Sequence, residues 1–210
     1  MPTYRNAREF LEAVVHRYRG LDSYSDVGKS HRPNCRRDRL CVFQTDFRAP
    51  SDFRFEFETR HPYRKLKHLR VRTVVGSFEG RPYYYDQSYS DEPSLEHPES
   101  LDLAVAGATG VSSGTAHTIA TLLFSEASGF TLLDLKRLRF RKDRVVDAVY
   151  CKAISGLHPR GGRVTVWFGQ HDMLLRRQVR VMFRTEELRT SIQVGHHVPA
   201  SRLAPPRIEA

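Results

Sequence analysis

Phe43, Thr45 and Phe47 alternate with Gln44, Asp46 and Arg48, and after Ala49-Pro50-Ser51 the alternation resumes, with Phe53, Phe55 and Phe57 set against Asp52, Arg54, Glu56 and Glu58. Successive side chains of a strand point to opposite faces, whereas a helix would scatter these rings around its circumference. The stretch therefore predicts two half-buried strands joined by a tight turn whose dihedral the proline presets. All five phenylalanines fall on one face, opposite charges and amides. One side of the sheet closes an apolar interior and the other meets water.

The flanking sequence says what that sheet belongs to. Residues 3–19 place Ala7, Phe10, Leu11, Val14, Val15 and Tyr18 at spacings of three and four, an amphipathic helix that Gly20 should end in the left-handed conformation. Strands are expected over 21–30, 40–48, 52–59 and 69–75, the last stopping at Gly76. A short edge strand follows over 81–86, where Pro82 needs no ladder donor, and then a polar loop over 87–99. Helices are expected over 100–106, over 115–125 with Thr115 as its cap, and over 130–135. Strand periodicity returns over 137–141, 146–154, 163–169, 174–184 and 191–198, with 199–210 as an edge or tail.

Charge is distributed unevenly along this order. Of a net +10, residues 1–75 hold 17 basic and 9 acidic side chains, residues 76–135 hold 1 and 9, and residues 136–210 hold 16 and 6. The acidic middle coincides with the helices and the basic flanks with the strands. This suggests an acidic helical insert docked on a basic sheet, although salt limits the attraction to about 8 Å. With 210 residues and 40% apolar content, one domain over 1–210 with an insert over about 100–135 is expected. No apolar run reaches the roughly 18 residues of a membrane span, and no secretory signal is expected at residues 1–20.

The order of helix, strands, helical insert and strands, with Phe47-Arg48-Ala49-Pro50-Ser51-Asp52-Phe53-Arg54-Phe55-Glu56 early in it, resembles the lipoprotein-carrier (LolA and LolB) superfamily. It is most similar to an uncharacterised bacterial branch with that fold. Residues 11–28, 103–123, 149–154, 164–168 and 174–176 carry further likeness. The resemblance implies an α+β fold: an incompletely closed, strongly curved antiparallel β-barrel of about ten or eleven strands, with an N-terminal helix and a helical lid over an apolar cavity that holds acyl chains. It also implies a noncatalytic carrier or sensor in the periplasm or cell envelope; the want of a signal leaves the cytoplasm open. Joined to the phenylalanine face, it marks Phe43, Phe47, Phe53, Phe55, Phe57, Val71, Ile119, Leu122 and Leu123 as ligand-binding. The expected partners are acyl chains of lipid or lipoprotein and an anionic membrane surface, with the protein a monomer, no cofactor, and nucleic acid a poor fit. In the carriers a basic residue immediately precedes the turn proline. Here that position is Ala49, and Arg48 points to the other face.

Other chemistries leave weaker traces. Gly107, Gly110 and Gly114 lack the Gly-Lys-Ser/Thr ending of a phosphate loop and read as a connection between lid helices. His31, Cys35 and Cys41 lack zinc-ligand spacing, a Cys35–Cys41 disulfide is open, and Cys151 reads as a buried thiol. His196 and His197 read as neighbours on opposite faces of a strand. A hydrolase with a pocket near Ser112 and Ser113 is an alternative without an identifiable base. The basic runs at 36–39, 60–72 and 136–144, with Tyr63 and Tyr83 to Tyr85, offer another: surface binding of nucleic acid or anionic membrane. Their plainer reading is a solvated sheet face.

Overall fold

The computed structural model describes residues 4–31, 40–60, 70–87, 92–112, 114–127 and 129–208. The phenylalanine stretch forms β2 (Cys41–Arg48) and β3 (Asp52–Arg60). Their register sets Phe43 opposite Phe57, Thr45 opposite Phe55 and Phe47 opposite Phe53. Across the turn, Arg48 and Asp52 form an ion pair at 2.6 Å.

Around this pair lie β1 (Ser23–His31), β4 (Arg70–Phe78), β5 (Arg81–Gln87), β6 (Ser94–Glu96), β7 (Lys136–Val146), β8 (Val149–Leu157), β9 (Arg163–Gly169), β10 (Leu175–Arg180) and β11 (Thr185–Val194). They make one 11-stranded antiparallel sheet in the order β6-β5-β4-β3-β2-β1-β11-β10-β9-β8-β7. It is strongly curved and not closed, since β6 and β7 are its two ends: an incomplete barrel with helices. β1 joins the halves, pairing with β2 on one side and β11 on the other.

Helix α1 (Ala7–Arg19) starts at Asn6, whose side chain accepts from the Arg8 and Glu9 amides, and buries the six apolar residues its periodicity marks. Gly20 ends it at φ −95°, outside the left-handed region expected. The lid is built from α2 (Leu101–Thr109), α3 (Thr115–Leu123) and a 3-10 turn (Leu132–Asp134) with a capping box from Thr131 and Asp134. Gly114, at φ +83°, caps α3; Thr115 instead lies inside the helix, its hydroxyl donating to the Ser112 carbonyl at 2.7 Å. The main core runs continuously from α1 through the lid to the concave face of the sheet.

Four more local expectations change. Gly76 does not end a strand but sits inside β4, where a Cβ would collide with the Phe53 carbonyl oxygen and the Tyr83 ring. β5 is not the edge, because β6 pairs outside it. The last strand begins at Thr185, so His196 and His197 lie beyond it. The tail forms a short helix, α4 (Ala200–Leu203), fastened where the Tyr83 hydroxyl donates to the Leu203 carbonyl at 2.7 Å and Arg54 to the Ala204 carbonyl at 2.6 Å.

Buried tyrosines give this fold an alkaline limit. Burial raises the hydroxyl pKa of Tyr18, Tyr24 and Tyr83, with the Asp26 charge reinforcing it at Tyr24. A folded pKa above the unfolded one of about 10 means that their contribution is complete below pH 10 and is lost as pH rises through the folded values. An alkaline titration followed by tyrosinate absorbance should therefore show these three ionising only with unfolding. Smooth ionisation of all nine tyrosines in folded protein would contradict this.

Candidate functional site

The five phenylalanines of the expected site are all buried, with Phe53, Phe55 and Phe57 at 0, 1 and 1% exposure. A ring bordering open space would retain more surface than that, so side chains surround them. Phe43 and Phe55 lie 5.6 Å apart, Phe55 and Phe57 5.9 Å apart. Ile119, Leu122 and Leu123 of α3 belong to the same continuous core, and Phe124, just past the helix, sets its ring against both Phe47 and Phe53 at 5.6 and 5.7 Å. Val71 is buried too, but stands outside that cluster.

What sequence reasoning missed is charge at the centre of this interior. Thr45 interrupts the phenylalanine row, and beside it Asp26 of β1 and Glu187 and Arg189 of β11 are each 1% exposed. Arg189 Nη1 donates to Asp26 Oδ2 and to Thr45 Oγ1 (3.2 Å), and Arg189 Nε and Nη2 lie 2.7 and 2.6 Å from Glu187 Oε1. Tyr24 donates to the same Asp26 oxygen, and Arg180 stands 3.4 Å from Glu187 Oε2. Two cations face two anions here, the arrangement that lets charge persist in a low-dielectric interior. Burial alone would lower the guanidinium pKa of Arg189, but the charges of Asp26 and Glu187 outweigh it and hold the group above its ordinary range. The guanidinium also stacks on Phe43, 4.6 Å from the ring centroid. Gly28, the register partner of Phe43, leaves the space its ring occupies.

The cluster reaches the lid at two points. Thr118 Oγ1 donates to Glu187 Oε2 at 2.9 Å, and Arg189 Nη2 to the Thr115 carbonyl at 3.4 Å. Eight of the nine residues of α3 are buried, so a helix packed largely by apolar side chains is also pinned to the sheet floor through polar groups.

Other candidate residues lie elsewhere. The Ser112 hydroxyl donates to the Thr109 carbonyl and accepts from the Ala116 amide, a helix-end role. His31 sits 3.9 Å from Glu186. Cys41 and Cys151 are buried. Cys35, Tyr63, Ser113 and the basic residues of 36–39 and 61–69 lie outside the described residues. No three His, Cys, Asp or Glu side chains converge as metal ligands among the described residues, and none of the described helices is long and apolar enough to cross a membrane.

No family model matches the chain, and no curated protein does. Solved structures do. The Pseudomonas aeruginosa MucA/MucB complex aligns at TM-score 0.52 and 12% identity, over 97% of this chain and 63% of that one. This chain therefore spans less than two thirds of that neighbour's length. An uncharacterised conserved protein from Thermus thermophilus aligns at 0.54 and 9%, over 96% and 94%, and the Mycobacterium tuberculosis lipoprotein LppX at 0.51 and 12%, over 92% and 97%. At these identities the likeness is one of fold alone, an incomplete barrel with helices. Within it, the position before the turn proline is Ala49, and Arg48 is engaged by Asp52. The inward-facing guanidinium comes instead from Arg189 of β11. Sequence held one signal of it, the polar inward row Thr185, Glu187 and Arg189, which only the pairing of β11 with β1 makes legible.

Proposed function

We propose that this protein is a noncatalytic carrier or sensor that takes an acyl chain, of lipid or lipoprotein, between its concave sheet face and the α3 lid. The observation that supports this reading is the polar fastening of that lid. A helix meant only to complete a core needs no Thr118–Glu187 bond beneath it, because an apolar isostere would pack there at no cost in desolvation. A polar fastening can exchange its partners for water when the helix lifts, and the surface then bared is the phenylalanine face. In this reading the ligand meets Phe43, Phe47, Phe53, Phe55, Phe57 and Val71 from the sheet and Ile119, Leu122 and Leu123 from the lid. Apolar walls with few polar groups suit an acyl chain. The matching compartment is the periplasm or cell envelope.

The test is a titration with a dansyl-labelled fatty acid, joined to native mass spectrometry of the freshly purified chain. Saturable uptake is expected in the natural protein and a stronger uptake in Thr118→Val, which leaves the buried, charged Glu187 without the hydroxyl that ties it to α3 and so favours lifting of the helix. If neither protein takes up the probe and neither carries co-purified lipid, the reading fails.

A further inference from the structure

The turn between β10 and β11 departs from the chemistry of ordinary hairpin tips, which are polar. Val181, Met182 and Phe183 are consecutive and 58, 38 and 40% exposed. Arg180 and Arg184 bracket them. Phe183 stays that exposed even though its edge meets His158 at 5.8 Å, so the ring is not folded into the core. The turn is held in place: the Val181 amide donates to the Arg163 carbonyl at 2.9 Å, and Met182 packs against Gly162 of the β8–β9 turn. That second turn adds the exposed side chains of Arg160 and Arg163. The two acids that follow the turn in sequence are already engaged, Glu186 with Arg177 at 2.9 Å and Glu187 inside.

We propose that this tip docks on an anionic bilayer, Val181, Met182 and Phe183 entering the headgroup region while Arg160, Arg163 and Arg184 meet lipid phosphates. Three apolar side chains on a convex tip offer no groove for a folded partner, but they match the shallow apolar boundary of a membrane, and the arginines match its surface charge. The β7 strand is more basic, but its exposed ring, Phe140, is covered by the Lys152 ammonium at 5.0 Å and flanked by Phe10. The tip lies at the sheet end reached by Gly114, which abuts Arg180, and by Phe130, which stacks on His158 at 4.1 Å. Docking there would bring Gly114 and Phe130, on either side of α3 in the chain, toward the lipid surface. Docking by this tip requires no ligand in the interior.

Co-sedimentation of the full chain with vesicles of phosphatidylcholine, alone or mixed with phosphatidylglycerol, tests it. Binding is expected to the mixed vesicles, weakening as salt rises. Val181→Ser/Met182→Ser/Phe183→Ser should lower the partition coefficient by about tenfold or more, since three buried apolar groups are lost. Arg160→Gln/Arg163→Gln/Arg184→Gln should remove the preference for anionic lipid. Arg139→Gln/Arg141→Gln/Lys142→Gln in β7 should change binding less than either. Independently of these variants, Phe183→Trp should show a blue-shifted emission on mixed vesicles, while natural Trp167, 8% exposed, should not. Unchanged binding by the serine variant, equal binding to neutral vesicles, no binding at all, or loss only on changing β7 would overturn the proposal.

Discussion

Replacing Arg189 with methionine is expected to destabilise the protein by about 3–5 kcal/mol, read from urea unfolding at neutral pH, because it leaves the buried Asp26 carboxylate without its cation and Glu187 with Arg180 alone. Size is nearly conserved, so the loss reports charge and not a cavity. Replacing the whole set, with Asp26→Leu, Arg180→Met, Glu187→Met and Arg189→Met together, should recover most of that loss, since a buried ion cluster is worth little over apolar residues of similar volume. If the cluster fastens a lid that must open, the recovered protein should also take up the acyl probe less well than the natural one, because its lid is now held by contacts that water does not replace. A loss below about 1 kcal/mol for Arg189→Met alone would mean that Arg189 and Asp26 do not form a buried ion pair.

Phe55→Ala is expected to cost a further class of energy, about 3–5 kcal/mol, as a large-to-small change in a filled core. The ring sits between Phe43 and Phe57, 1% exposed, and nothing around it can collapse cheaply when both neighbours are rings themselves. The same variant should bind the dansyl fatty acid more weakly if the ring becomes ligand surface once the lid lifts. A loss of that size with undiminished probe binding would take the phenylalanine face out of the ligand site while leaving the barrel intact.

The two variants also divide what the sequence made legible from what it did not. Phe55 was legible because its meaning is local: alternation over a dozen residues sets its face, and the turn at Ala49-Pro50-Ser51 sets its register. The helical faces of α1 and α3 were legible for the same reason. Arg189 was not, for two physical reasons. Its inward row holds Glu187 and Arg189, and with Arg180 of β10 beside them the excess positive charge is cancelled only when Asp26 arrives from β1, a fact no window of neighbouring residues contains. Moreover, β11 holds a bulge: pairing with β1 shifts between Val27–Thr190 and Ser25–Gln193, with Ser191 at φ +51°. An extra residue there exchanges faces. Leu188 packs with the outer cluster around Trp167, whereas Ile192 and Val194 pack inward. Read as one period, the strand points its apolar residues the wrong way. Thr115 failed as a cap because Gly114 supplies a positive φ that the helix start takes directly, and β5 failed as an edge because a three-residue β6 is too short to show a period.

The seam between β1 and β11 has a further consequence, for the order of events during synthesis. Tyr24 and Asp26 leave the ribosome well ahead of Arg189, which is 163 residues from Asp26 in the chain. Until then the strands from β1 to β5 can pair with one another, but the acid at their margin has neither its cation nor a second neighbouring strand. Pairings of such long sequence separation form late and slowly. The interior therefore acquires its counterion only when the strand that seals its N-terminal half to its C-terminal half is nearly complete, so that charge neutralisation and the joining of the two runs of strands are a single step of folding.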